Sequence, residues 1–142
     1  MSFCSGFADQ FHHFKGEFLL FGLLSYKKQG GLDSAMGALR YQHGRCRECI
    51  AGIRQALTGY EENDGMALTF LLENLAVYGS LLQRHIYEED VVFFPLAEKT
   101  LSSEEKESLS CRFEEEEERI GGRGAVFEKY QNSVDHLTEL LS

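Results

Sequence analysis

His85-Ile86-Tyr87-Glu88-Glu89-Asp90, running on to Phe94-Pro95, decides the fold of this chain. It lies in a longer pattern, in which Leu71, Leu75, Tyr78, Leu82, His85, Glu89 and Val92 follow one another at alternating steps of four and three. That rhythm marks one seam of an α-helix packed against other helices. His85 and Glu89 therefore stand where leucine belongs, one turn apart on one face. An ionised carboxylate buried there without a partner costs several kcal/mol. A salt bridge would offset that cost. A metal ion would offset it better, because imidazole and carboxylate at i, i+4 are natural joint ligands on a helix.

The same helical rhythm extends outward from this stretch. Residues 3–28 read as a first helix with an aromatic stripe, Phe7, Phe11, Phe14, Phe18 and Phe21, which is expected in the core. His12 and His13 flank the stripe. Lys27, Lys28, Gly30 and Gly31 mark a helix end and a turn. Asp33-Ser34 can cap a second helix that runs to about Thr58, with the seam Met36, Leu39, His43, Cys46, Ile50, Ile53 and Leu57. Gly59 to Gly65 forms a polar loop, and a third helix covers residues 66–93, ended or kinked by Pro95. Leu101-Ser102-Ser103-Glu104-Glu105 starts a further helix. Its run Glu114 to Glu118 is a solvated face rather than a cation sponge. Gly121, Gly122 and Gly124 break that helix, and the last one has the seam Phe127, Tyr130, Val134, Leu137 and Leu141. His136 lies off this seam, as a surface histidine does.

Composition narrows the function classes. The chain has 142 residues, one proline, no tryptophan and 11 phenylalanines, and strand-like alternation is absent. A net charge of −9 argues against a nucleic-acid partner and against an anionic membrane surface. No apolar run approaches the roughly 20 residues that span a bilayer. The start, Met1 to Gly6, lacks the basic and apolar regions of a signal peptide, so a cytoplasmic protein with four reduced cysteines is expected.

A lone seam histidine is usually a satisfied core residue. Here His43 and His85 lie on different helices, with a seam carboxylate, Glu89, and the pair His12-His13 on a third helix. A bundle can bring such residues to one level, which favours a metal site. An internal echo supports the pair. His12 precedes Phe21-Gly22 as His85 precedes Phe94-Pro95, whereas the other register aligns His13-x3-Glu17 with His85-x3-Glu89. Both histidines and Glu17 stand as candidates. Tyr78, one heptad before His85, could hydrogen-bond a ligand or a small molecule held at the site, or be an ordinary core tyrosine. Arg47 and Glu48 could support the ligands from outside. Cys46-Arg47-Glu48-Cys49 is a C-x-x-C within a helix. With no βαβ pattern around it, buried thiols are the simpler reading.

These residues carry a resemblance. The stretch Phe7-Ala8-Asp9-Gln10-Phe11-His12-His13-Phe14-Lys15-Gly16-Glu17, the helix centred on His43, and His85-x3-Glu89-Asp90-x3-Phe94-Pro95-Leu96-Ala97-Glu98-Lys99 together resemble the hemerythrin-like, or HHE cation-binding, family. The second His-x3-Glu block is the specific part, and the likeness extends over most of the chain, including Phe113 to Gly122 and Phe127 to Leu141. It implies an all-α fold, an up-down four-helix bundle with additional C-terminal helices, with residues 1–142 as a single domain. It also implies a non-haem di-iron site, bound by histidines and bridged by carboxylates. His12 or His13 with Glu17 would serve one repeat; His43, His85 and Glu89 would serve the other, with Glu89 or Asp90 bridging.

The chain departs from the family pattern at the first repeat, which lacks its opening helix and histidine, and at Gly16, where an acidic residue is common. The site would then hold one or two iron ions or another divalent metal, or be completed by the C-terminal helix or another subunit. An apolar groove left by the missing helix favours a homodimer. Three functions follow. The leading one is a metal protein that binds or senses O2, NO or a related small ligand, or handles iron. The second is a di-iron oxidoreductase acting on peroxide or NO, for which no flavin or haem motif supplies electrons. The third is a metal-free helical interaction module, which the seam histidines argue against, because a bundle without metal gains stability by replacing them.

Overall fold

Gly30–Glu61 forms one unbroken helix of 32 residues, α2, and Ala67–Glu88 forms the helix α3 that returns alongside it. In this computed structural model, residues 6, 11–27 and 30–141 are described. Phe7, the rest of the 7–10 stretch, Cys4 and Lys28 lie outside them, as does the side chain of Leu141. A short helix α1 (Phe21–Leu24) precedes α2, following a π-helical segment, Lys15–Leu20. A second π-helical segment, Glu89–Phe93, joins α3 to α4 (Phe94–Thr100). Helices α5 (Ser103–Arg119) and α6 (Arg123–Leu141) complete the chain, and there is no strand among the described residues. The fold is all-α, a helical bundle with additional C-terminal helices, as expected.

Two compact units are distinguishable, one spanning Leu24–Leu101, the other combining Ser2–Leu23 with Ser102–Ser142. In the first, α2 and α3 run antiparallel. A Cβ on Gly59 would lie 3.2 Å from Ala67 Cβ, one on Gly52 would lie 2.4 Å from Asn74 Oδ1, and Gln42 hydrogen-bonds Glu88. Partners thus ascend one helix as they descend the other. At Gly52 only the absence of a side chain leaves room for Asn74, which donates to Phe70 O at 2.8 Å. The connection at residues 62–66 is a tight turn. Asn63 adopts φ 63°, and Asp64 accepts from the Met66 N–H at 2.9 Å. Leu32, Met36, Leu39, Cys46, Cys49, Ile50, Ile53 and Ala56 supply the buried face of α2.

Three expectations about boundaries are corrected. Gly30 and Gly31 are helical, so Asp33-Ser34 lies in the first turn of α2 instead of capping it; Asp33 is favourable there against the helix dipole. Gly124 likewise lies in the first turn of α6, and the break is made by Gly121 and Gly122, at φ 105° and 87°. Pro95 ends no helix. The π segment resets the hydrogen-bond register, with Phe94 N–H bonding back to Glu89 O, and Pro95 falls in the first turn of α4, where a missing N–H is harmless.

The π segment also corrects the seam. Tyr78, His85 and Glu89 are buried as expected, but Val92 is 44% exposed and Phe93 1%. One extra residue in the turn moves the inward position from 92 to 93, and Ala97 continues the new line. Leu75 and Leu57 are also outside the core, Leu57 yielding its place to Ala56. The first-helix stripe changes for the same reason: Phe11 and Phe21 are buried, Phe14 is half-buried and Phe18 is exposed, with Leu20 and Leu24 taking the inward positions.

The second unit packs Lys15–Leu20 against α5. Lys15 Nζ bonds Glu117 Oε1 at 2.5 Å and lies 3.9 Å from the centre of the Phe11 ring. The Glu114 to Glu118 run is therefore not wholly a solvated face, since Glu117 is half-buried in this pair. Ser102 caps α5 in a capping box with Glu105. Of the described seam side chains on α6, Tyr130 is buried, whereas Phe127, Val134 and Leu137 are largely open to water; His136 is exposed.

Candidate metal centre

The first unit holds three of the expected ligands together. His43 comes from the middle of α2, His85 from the last turn of α3, and Glu89 from the first residue of the π segment. Their exposures are 0%, 1% and 6%. The two imidazole rings meet edge to face, 4.7 Å between centroids and 70° between planes. His85 Nε2 lies 3.4 Å from Glu89 Oε2. Ligand nitrogens of His43 and His85 lie within 4.8 Å of each other, as do ligand atoms of His85 and Glu89, so pairs of donors are close enough to share an ion.

The other imidazole nitrogen of His85 is held from α2. Gln42, itself buried, places Oε1 3.0 Å from His85 Nδ1, and its Nε2 donates to Glu88 Oε2 at 2.5 Å. Arg84 Nε donates to the other oxygen, Glu88 Oε1, at 2.7 Å. The hydrogen bond from Arg84 is the main reason that the Glu88 carboxyl sits below the usual carboxylate range; burial opposes it, and the hydrogen bond from the Gln42 amide assists to a lesser extent. Gln42 was not among the residues singled out in the sequence. Its only mark there is adjacency to His43, next to the seam on the side facing α3. Arg47 and Glu48, expected in that supporting role, are both exposed, and Glu48 pairs with Arg45 on the surface.

His12, His13 and Glu17 belong to the second unit. His13 is buried, His12 is exposed and Glu17 is half-buried; the two rings lie 5.6 Å apart. The echo between the two His segments is visible in the backbone. Both carry a π segment, ending at Leu20 before Phe21 and at Phe93 before Phe94, the register that aligns His12 with His85. Burial follows the other register, with His13 the counterpart of buried His85. Asp90 is exposed, and Cys46 and Cys49 are buried on α2, neither in a disulfide.

Chemically, the donor set of the first unit fits a metal ion. Two imidazoles and a carboxylate, all removed from water, suit a first-row divalent cation, whose charge also balances the buried Glu89. An all-α bundle with inward histidines and a carboxylate on facing helices defines a class, that of helical proteins with a metal site in the bundle core. The chain belongs to the hemerythrin HHE cation binding domain family, whose profile matches residues 2–97. The match takes in all the candidate ligands and ends before α5 and α6, so the tail lies beyond it, contrary to the wider likeness expected from the sequence. No curated protein and no solved structure matches the chain. Among the described residues, no helix is long and apolar enough to cross a membrane.

Proposed function

We propose that this is a non-haem iron protein that binds or senses a small diatomic ligand, O2 or NO, or handles iron. The observation that carries this reading is the burial of His43 on α2, His85 on α3 and Glu89 at the start of the π segment that follows, in a chain of the HHE cation-binding family. His43, His85 and Glu89 serve as ligands in this reading. His12 or His13, with Glu17, serves the other repeat of the family pattern, and the chain holds one or two ions. Iron held by imidazoles and carboxylate would supply reversible binding of O2 or NO. The chain's own contribution is to keep the imidazoles in place, exclude bulk water and balance charge with Glu89. The whole of residues 1–142 acts as one cytoplasmic domain, and the exposed apolar residues of α3, among them Leu68, Phe70, Leu72 and Leu75, support a homodimer.

Elemental analysis of purified protein with its visible spectrum, for wild type and His85→Ala, tests this reading. About one or two irons per chain with a charge-transfer band, both lost in His85→Ala, are expected. Protein that takes up no metal after anaerobic reconstitution with ferrous iron would overturn the reading.

A further inference from the structure

The geometry points to Gln42 as a positioning residue that fixes which nitrogen of His85 is presented to the metal. The hydrogen-bond chain starts at the surface. Both oxygens of the Glu88 carboxylate accept: Oε1 from Arg84 Nε at 2.7 Å, Oε2 from the Gln42 side chain at 2.5 Å. An ionised carboxylate has no proton to give. The Gln42 group facing it must therefore be the amide NH2, since the reverse orientation would set carbonyl oxygen against carboxylate oxygen. That leaves Gln42 Oε1 facing His85 Nδ1 at 3.0 Å. An amide oxygen only accepts, so His85 Nδ1 carries the proton and donates it. In the neutral ring the lone pair is then on Nε2, 3.4 Å from Glu89 Oε2, so that these two acceptors face each other and a cation between them satisfies both. A single chain of directed hydrogen bonds, from Arg84 through Glu88 and Gln42, sets the tautomer of a buried imidazole in advance.

The inference rests on the metal reading given above, but its first observable does not. Left to itself in water, a neutral imidazole exchanges its proton between both nitrogens, and only one of the two forms can ligate through Nε2. Holding that form before metal arrives removes one of the rearrangements that binding would otherwise require.

Nitrogen-15 NMR of the histidine rings in metal-free protein at about pH 8, where an ordinary imidazole is neutral, reads the tautomer directly. The His85 signals are assigned by their loss in His85→Ala. Anaerobic titration with ferrous iron against a competing chelator reads affinity. Wild type is expected to show His85 protonated at Nδ1. Gln42→Leu should give a mixture of tautomers and a roughly 10- to 100-fold weaker affinity. In case Gln42→Leu fails to fold, the exchange variant Gln42→Glu/Glu88→Gln tests the same point with net charge unchanged. The carboxylate introduced on α2 would accept from His85. The amide introduced on α3 would donate to that carboxylate and accept from Arg84, and both tautomer and affinity should match wild type. Protonation of His85 at Nε2 in wild type, or a tautomer and affinity unchanged in Gln42→Leu, would overturn the inference. Wild type that shows the Nδ1–H form yet binds no iron would instead overturn the metal reading, and Gln42's role in ligation with it.

Discussion

His43 and His85 meet edge to face across the α2–α3 interface, their ring centres 4.7 Å apart and both side chains fully buried. Two imidazoles at that depth fill less apolar volume than two leucines and bring polar nitrogens that must be satisfied. A bound cation turns that cost into a stabilising term, because anything that binds only the folded state raises its stability by mass action. Iron-loaded protein is therefore expected to melt above protein stripped by chelator. At free metal about 100-fold over the dissociation constant, the difference amounts to about 2.7 kcal/mol. His43→Ala should abolish the metal-dependent part of the melting temperature. Equal melting curves for loaded and stripped wild type would contradict this.

The register change at Glu89–Phe93 makes a prediction that an unbroken α-helix would reverse. Phe93 is in the core and Val92 is largely open to water. Phe93→Ala should cost about 3–5 kcal/mol by denaturant unfolding, and Val92→Ala within about 0.5 kcal/mol of zero. Comparable losses from the two, or the opposite ranking, would place the seam at 92 and deny the π segment.

Ser102 Oγ accepts from the Glu105 N–H at 3.2 Å, and Glu105 Oε2 accepts from the Ser102 N–H at 2.8 Å. Ser102→Ala should cost about 1 kcal/mol, and Ser102→Asp, which keeps the acceptor, much less. Chemical denaturation of the three proteins decides it; an alanine variant as stable as wild type would deny the cap a role.

Glu116 is held below the usual carboxylate range, chiefly by the hydrogen bond from Arg119 and against the effect of burial. A carboxyl lowered on folding contributes stability that is present above its unfolded value, about pH 4.3, and is lost as pH falls through its folded value. Glu116→Gln should therefore lower the melting temperature slightly at pH 7 and leave it unchanged near pH 2. As an exposed pair it is screened, so the pH 7 difference should also shrink in about 1 M salt.

The helices, the inward placement of His43, His85 and Glu89, and the helix start within Leu101 to Glu105 were legible in the sequence because each rests on local periodicity or a short motif. What escaped was whatever depends on an irregular turn or on a neighbour from another helix. Phe93 replaced Val92 because nothing in a three-four spacing announces an inserted residue. Gly30, Gly31 and Gly124 resemble turn residues, yet helical surroundings hold them. Gln42 escaped because a buried amide is recognisable only by what it touches, and its partners lie more than 40 positions away, at His85 and Glu88.

The π segment after Glu89 has a consequence for how freely this chain can change. Each residue of an α-helix turns the face by about 100°, so an inserted residue rotates everything downstream by about that much. His85 and Glu89 lie upstream of the inserted residue, and Phe93 and Ala97 lie downstream. The aim of the ligands and the packing of α4 can therefore be adjusted separately, one on each side of a built-in offset. A substitution that repacks α4 need not turn His85. Deleting one residue between 90 and 92 would couple the two again, swinging either the core side chains into water or the ligands out of line.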